Sequence, residues 1–240
     1  MLITSESTRT FNTDIRLACT LAAVAGALNT AAFETVGFFS ANMTGNVSSL
    51  SDHLAKANFH VGLFFLLIVL LFIAGSSVST MIINSGRRRK IQGIYAINIL
   101  LEGVALLALG VVESWFRFSE SGVLLILSLS FLMGLQNAVV TRISNARVRT
   151  THVSGTATDI GIELAMLLDV LRRKESPKDA PLYIERLKLH FFTVLAFLAG
   201  GVLGILLLQA MSYKFLIVIG VLLTALALSA LQRAGYLLHS

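Results

Sequence analysis

The sequence predicts an all-α membrane protein: six transmembrane helices form two inverted three-helix repeats, each with a short re-entrant or interfacial motif helix. Three observations predict it. Hydrophobic residues make up 55% of the 240 and charged residues only 13%, with a mean hydropathy of +0.81. A soluble domain carries about 25% charged residues, so a water-soluble globule, a disordered chain and a disulfide scaffold are excluded. Six apolar runs are each about 20 residues long, the length that crosses a bilayer core of ~30 Å. Finally, the same small landmarks recur in the same order in both halves of the chain.

The six runs are 15–38, 59–81, 91–112, 122–141, 191–211 and 215–231. The first follows a polar leader, carries Asn29 and Glu34, and ends without a small-residue cleavage pattern. It is therefore expected to be a span rather than a cleavable signal peptide. Cys19, the single cysteine, lies in this run and is expected to pack as a small hydrophobe. Two moderately apolar segments, 43–54 and 154–171, remain outside the six.

The basic residues set the expected topology. With the N-terminus inside, sixteen of the nineteen Lys and Arg residues fall on inner segments, including the run Arg87-Arg88-Arg89-Lys90 and Arg172, Arg173 and Lys174. Only Lys56, Arg117 and Lys214 fall outside. Lys and Arg resist translocation, so both termini are expected in the cytoplasm. Trp115, Phe116, Phe118 and Tyr213 then mark the outer interface, and Tyr95 and Tyr236 the inner one. Letting the two extra segments cross would leave eleven basic residues inside against eight outside. Each is better read as entering and leaving by one side, or lying on the surface.

Gly26-Ala-Leu-Asn29 in the first span matches Gly134-Leu-Gln-Asn137 in the fourth. Asn42-Met-Thr-Gly45-Asn46 matches His152-Val-Ser-Gly155-Thr156, and Phe72-Ile-Ala-Gly75 matches Phe197-Leu-Ala-Gly200. The separations are 108, 110 and 125 residues, the last one lengthened by the basic stretch 172–188. Three spans per half is an odd number, so the second half must run in the opposite sense. The chain is read as one membrane domain over 1–240, with repeat one at 15–112, repeat two at 122–232 and a cytoplasmic basic loop at 172–190.

The paired motifs Asn42-Met-Thr-Gly-Asn46 and Thr151-His-Val-Ser-Gly-Thr156 resemble the YoaK family of uncharacterised bacterial inner-membrane proteins. The resemblance covers nearly the whole chain. It implies a six-helix, multi-pass protein of the bacterial inner (plasma) membrane, with no substrate and no catalytic residues established, so function is argued from the site.

Thr44-Gly45 and Ser154-Gly155 read as helix starts, the hydroxyls capping free N–H groups and the glycines letting the backbone turn toward a ligand. Two such starts near the midplane would aim partial positive charge at one region and favour an anion or a polar solute. The alternative is a pair of tight packing points with ordinary caps. The expected substrate-binding residues are Asn29, Asn42, Thr44, Gly45, Asn46, Asn137, His152, Ser154, Gly155 and Thr156. Asn29 and Asn137 either line a pore, bond the neighbouring motif loop, or make an interhelical hydrogen bond, the commoner role of such an amide. His152 is of the type that titrates near neutral pH, though a loop histidine is more often a polar contact.

Asp159 and Glu163 lie four apart and share a helix face with Thr156. The matching places in the first repeat hold Ser49 and His53, so the acidity is one-sided. Asp159, Glu163 and Glu102 are the candidates for proton coupling, since a carboxyl group in an apolar span is costly without a role. The alternative for the first two is a surface-lying amphipathic helix whose acids meet Arg172 and Arg173 or water.

No phosphate loop, His-Glu-x-x-His pair or Gly-x-Ser-x-Gly elbow is present, and one cysteine with five dispersed histidines makes no metal pattern. No enzyme activity, metal or cofactor is expected. Neither is nucleic-acid binding, because no recognition fold accompanies the basic residues. The expected partners are the lipid bilayer and a small polar solute, and a homo-oligomer is compatible with this reading. The expected function is a transporter or channel for a small polar or anionic solute. The rival is a non-transporting membrane sensor or assembly partner that docks proteins through the basic loop.

The topology is checked by labelling. In a Cys19→Ser background, Trp115→Cys should react with a membrane-impermeant thiol reagent added outside intact cells. Arg88→Cys should react only after the membrane is opened, and the reverse pattern would overturn the assigned orientation.

Overall fold

The computed structural model describes residue 2 and residues 10–115 and 121–235. Arg9, Phe116, Arg117, Phe118 and Tyr236, used above for charge and aromatic placement, lie outside the described residues. Eight α-helices follow in order: α1 (Phe11–Val36), α2 (Met43–Ala55), α3 (Phe59–Arg88), α4 (Ile94–Trp115), α5 (Ser121–Ile143), α6 (Val153–Leu171), α7 (Ala180–Met211) and α8 (Lys214–Arg233). No strand occurs among the described residues.

The six long helices fall on the six expected spans, and each is long and apolar enough to cross a membrane. Their uncovered faces suit lipid: Leu63, Leu70 and Ile73 on α3 and Leu198, Val202 and Leu206 on α7 are all exposed. Six such helices support a multi-pass membrane protein. Helices α3 and α7 hold 30 and 32 residues. At 1.5 Å per residue they run about 45–48 Å, well beyond the ~30 Å hydrocarbon core.

That length corrects one expectation. The basic stretch is not a loop over 172–190, because α7 already begins at Ala180 and carries Arg186 and Lys188. Pro181 sits in the first turn, where its missing N–H costs nothing. Only 172–179 connect α6 to α7, through a 3-10 turn at Pro177–Asp179. Tyr95 is buried at the start of α4, close after Arg87–Lys90. Trp115 is exposed at the end of α4, as an interfacial ring should be. Burial, and secondarily the charge of Glu113, raises the pKa of the Tyr213 hydroxyl between α7 and α8.

Three helix pairs make the body. Helices α1 and α7 run parallel, with Gly200 against the backbone of Ala23, Gly26 against that of Phe197, and Gly204 against Ala27. Helices α3 and α5 are likewise parallel, with Gly75 against Phe131 and Gly134 against Phe72. Ser76 Oγ donates to Gly134 O at 2.9 Å, and Arg142 Nη2 to Asn84 Oδ1 at 3.1 Å. Helix α8 runs antiparallel to α4, pairing Gly103 with Thr224 and Gly110 with Ile217. The first two crossings use matching positions: 26 and 134 are 108 apart, 72 and 197 are 125 apart. Without side chains at these points, the backbones approach to contact, the usual device where lipid supplies no hydrophobic drive between helices.

A buried polar chain joins α3, α4 and α5. Ser79 Oγ donates to Asn98 Oδ1 at 3.1 Å, and Asn98 Nδ2 to Ile94 O at 3.0 Å. One turn on, Gln136 Nε2 donates to Glu102 Oε1 at 3.1 Å, while Glu102 Oε2 has no partner among the described residues.

The crossings are checked with three alanine variants. Gly26→Ala and Gly134→Ala should each lower thermal stability in detergent by about 1–3 kcal/mol, the cost of overpacking. Gly161→Ala on α6, where a new Cβ meets nothing within 4 Å, should instead stabilise by about 1 kcal/mol through helix propensity. Equal effects at all three sites would refute the close approach.

Candidate functional site

Each motif helix begins where the chain has turned back into the bundle. After α1 ends at Gly37 (φ 74°), the chain folds back so that the N–H of Ala41 donates to Asn29 Oδ1 at 2.8 Å. Asn29 lies seven residues before the end of α1, about 10 Å back along its axis. After α5, Thr151 Oγ1 donates to Asn137 Oδ1 at 3.0 Å, six residues before that helix ends. The two asparagines thus bond the neighbouring motif loops, one of the three roles open from sequence.

From these starts α2 runs back antiparallel to α3, with Leu54 beside Gly62 and the His53 ring stacked on Phe65 at 5.6 Å. Helix α6 runs back along α7 in the same way, with Glu163 Oε1 2.9 Å from His190 Nδ1. His53 and Glu163 are 110 residues apart, and Phe65 and His190 are 125 apart, the same separations as the sequence landmarks.

The caps differ from expectation. Thr44 and Ser154 are not caps but lie inside the first turns, because the helices begin at Met43 and Val153. The N-caps are Asn42, whose side chain accepts from Gly45 N at 3.1 Å, and His152, which makes no side-chain cap bond. Neither Gly45 nor Gly155 has the positive φ of a turn glycine. Their role is steric. A Cβ at Gly45 would strike the Asn42 amide, and one at Gly155 the His152 ring.

One cleft of about 630 Å³ opens beside α6. His152, Gly155, Thr156, Asp159 and Glu163 line it, as do Arg147 and Arg149 from the α5–α6 loop and Tyr183, Arg186, His190 and Thr193 from α7. Thr156 and Glu163 are the two buried residues of α6, and Asp159 between them is exposed. Glu163 Oε2 has no partner among the described residues. The His190 Nδ1 contact lies off the N–H axis of a hydrogen bond, leaving it an ion-pair distance only. Arg147 Nη2 reaches Asp14 Oδ2 at 3.1 Å, which ties the loop to the start of α1. Among the described residues Asp159 and Glu163 make no ion pair with Arg172 or Arg173: Asp159 is exposed and Glu163 lies by His190.

The cleft does not gather every expected residue. Asn42, Thr44, Gly45 and Asn46 sit at the start of α2 and do not line it, and neither do Asn29, Asn137, Ser154 or Glu102. Asn46 is buried and donates to Phe39 O at 3.0 Å. Around the first motif the packing is aromatic: Phe33 stacks on Phe39 at 4.3 Å, and Phe38 meets Phe64 at 5.0 Å. The space there is a smaller apolar pocket of about 350 Å³ between Phe38, His60, Phe64 and Val123. At the end of α2, Lys56 Nζ donates to Asp52 Oδ2 at 2.8 Å, and this bond holds the Asp52 carboxyl below its usual range.

Helix α2 begins beside Asn29 on α1 and α6 beside Asn137 on α5, while Thr156 shares the cleft with Thr193, and Cys19 Sγ on α1 donates to the nearby Phe192 O at 3.7 Å.

The polar residues missed from sequence are Arg147, Arg149, Tyr183, Arg186, His190 and Thr193. No short-range spacing marks them. The one usable signal is that 65 and 190 occupy matching places and differ as Phe and His.

Comparison with known families places the chain. A family profile matches residues 17–229, a stretch that takes in both motifs and reaches all six long helices. The chain belongs to the DUF1275 family. Its description is "protein of unknown function". No curated protein and no solved structure matches the chain. For this family member the geometry above therefore carries the functional argument.

The return loops are checked by thiol access. Ser40, fully buried in the first loop, should be unreactive to a maleimide as Ser40→Cys in the Cys19→Ser background. Adding Asn29→Ala removes the amide that holds Ala41 and should raise the labelling rate about tenfold, for a hydrogen bond of ~1.4 kcal/mol. An unchanged rate would show that the loop does not depend on Asn29.

Proposed function

We propose that this protein is a transporter or channel for a small polar or anionic solute in the bacterial inner membrane, with both termini in the cytoplasm. It is built as inverted repeats whose motif helices α2 and α6 are re-entrant segments. One observation carries the reading: the contacts of the first half recur in the second at matching positions. Gly26 on Phe197 is answered by Gly134 on Phe72, and His53 on Phe65 by Glu163 on His190. Two motif helices that enter from opposite sides are a device for alternating access.

The two halves are chemically unequal, and that inequality gives the direction. Aromatic rings close the outer motif, while the inner motif opens on the polar cleft. This is the arrangement of a carrier caught with its inner side open. Asp159 and Glu163 face the solute. Glu102, sealed against Gln136 between α4 and α5, is the carboxyl assigned to proton coupling.

Reconstituted vesicles test this with a solute-uptake screen, with and without a pH gradient. Gly45→Leu and Gly155→Leu should abolish flux by displacing Asn42 and His152. Both should stay folded, since Gly45→Leu loses one helix cap, worth only about 1 kcal/mol, and His152 makes no cap bond to lose. Glu102→Gln should keep uptake down the solute gradient and lose its response to pH. Normal flux in both leucine variants would overturn the proposal in favour of docking through the basic segment. Charge reversal at Arg172, Arg173 and Lys174 should leave flux intact.

A further inference from the structure

The cleft beside α6 holds charges of both signs, and they are sorted along its length. Asp159 and Glu163 stand one turn apart on α6. Because α7 runs antiparallel to α6, Arg186 lies one turn from His190, on the side of Glu163 away from Asp159. Arg149 lines the facing loop. Arg147 is engaged by Asp14, whereas Arg149 and Arg186 are exposed and make no ion pair among the described residues. His152, Tyr183 and His190 complete the titratable lining.

Glu163 is the group that demands a ligand. Its side chain is only 7% exposed, one oxygen lies by His190, and the other has no partner among the described residues. A buried carboxylate oxygen without a donor costs free energy, and the open cleft supplies room for one. A simple anion placed there would meet Glu163 and Asp159. A simple cation would have to pass and sit beside Arg186 and Arg149. A solute with an amine at one end and an acid at the other satisfies both.

We propose that the cleft binds a small amphoteric solute, its ammonium group on Glu163 and its acid group on Arg186 and Arg149. Along α7 one helical turn, about 6 Å, separates Arg186 from His190, the residue that Glu163 faces, so the solute is short, with amine and acid one to three carbons apart. The assignment rests on the reading of this cleft as the solute site, and it narrows "polar or anionic" to zwitterionic.

Titration calorimetry on the full chain in detergent tests it with alanine, β-alanine and 4-aminobutyrate. Each is compared with its deaminated acid (propionate or butyrate) and its decarboxylated amine (ethylamine or propylamine). At least one zwitterion should bind, and both of its singly charged analogues should bind about tenfold more weakly or worse, the worth of one charged hydrogen bond. Glu163→Gln should erase the preference over the acid. Arg186→Gln should erase the preference over the amine, and both variants should keep the wild-type unfolding temperature within a few degrees. The assignment is overturned if none of the three zwitterions binds, if an acid or amine binds as tightly as its parent, or if Glu163→Gln keeps the full preference. Flux is read separately. Zwitterion binding without vesicle uptake would sink the transport reading alone, and uptake of only singly charged solutes would sink this assignment alone.

Discussion

Backbone contact at a few glycines is the constraint on which the rest of this molecule depends. Gly26, Gly200 and Gly204 bring α1 and α7 together, and Gly75 and Gly134 do the same for α3 and α5. Inside lipid, apolar side chains gain little by leaving their surroundings for one another, so close packing must supply the association. These two clamps hold four of the six long helices in fixed pairs. Their outer faces are left to lipid, and their ends are left to position the motif helices. Helix α2 leans on α3 and α6 on α7, and each has few buried residues of its own.

A chain that turns back within a bundle exposes backbone groups that lipid cannot satisfy. Asn29 meets one such group by accepting the Ala41 N–H, while Asn137, at the equivalent place on the helix its loop has just left, holds that loop through the Thr151 hydroxyl. The second loop needs more support, and it has it: Ser144 Oγ accepts from Val148 N at 3.1 Å, and Arg147 reaches across to Asp14. The extra bonds belong to the half that carries the cleft. Polar walls there leave more groups to be held, whereas the aromatic packing around Phe38 and Phe39 needs no such bracing.

At matched positions the two halves differ chemically. Where the first half places an imidazole against a phenyl ring, the second places a carboxylate against an imidazole. The first pair stacks. The second leaves an oxygen without a donor among the described residues. The buried Glu102–Gln136 pair has no acidic or amide counterpart in the other half, so the one-sidedness runs through the core as well as the cleft.

The sequence by itself determined the number of spans, their order and the positions of both motif helices, because hydrophobic length and small-residue spacing are local signals. The long apolar runs, Gly26 and Gly134, and the i, i+4 pair Asp159 and Glu163 were all legible in that way. It also led to two errors that local signals invite: hydroxyl residues read as caps where Asn42 and His152 stand, and a basic loop where α7 had already begun. Only the tertiary structure decided which polar groups meet. Arg186 and His190 come from a helix 30 or more residues along the chain from Thr156, and nothing in their spacing announces a shared cleft. Their meeting depends on α7 running past the bilayer core and α6 folding back along it. That is a property of helix length and packing direction, which no short stretch of sequence contains.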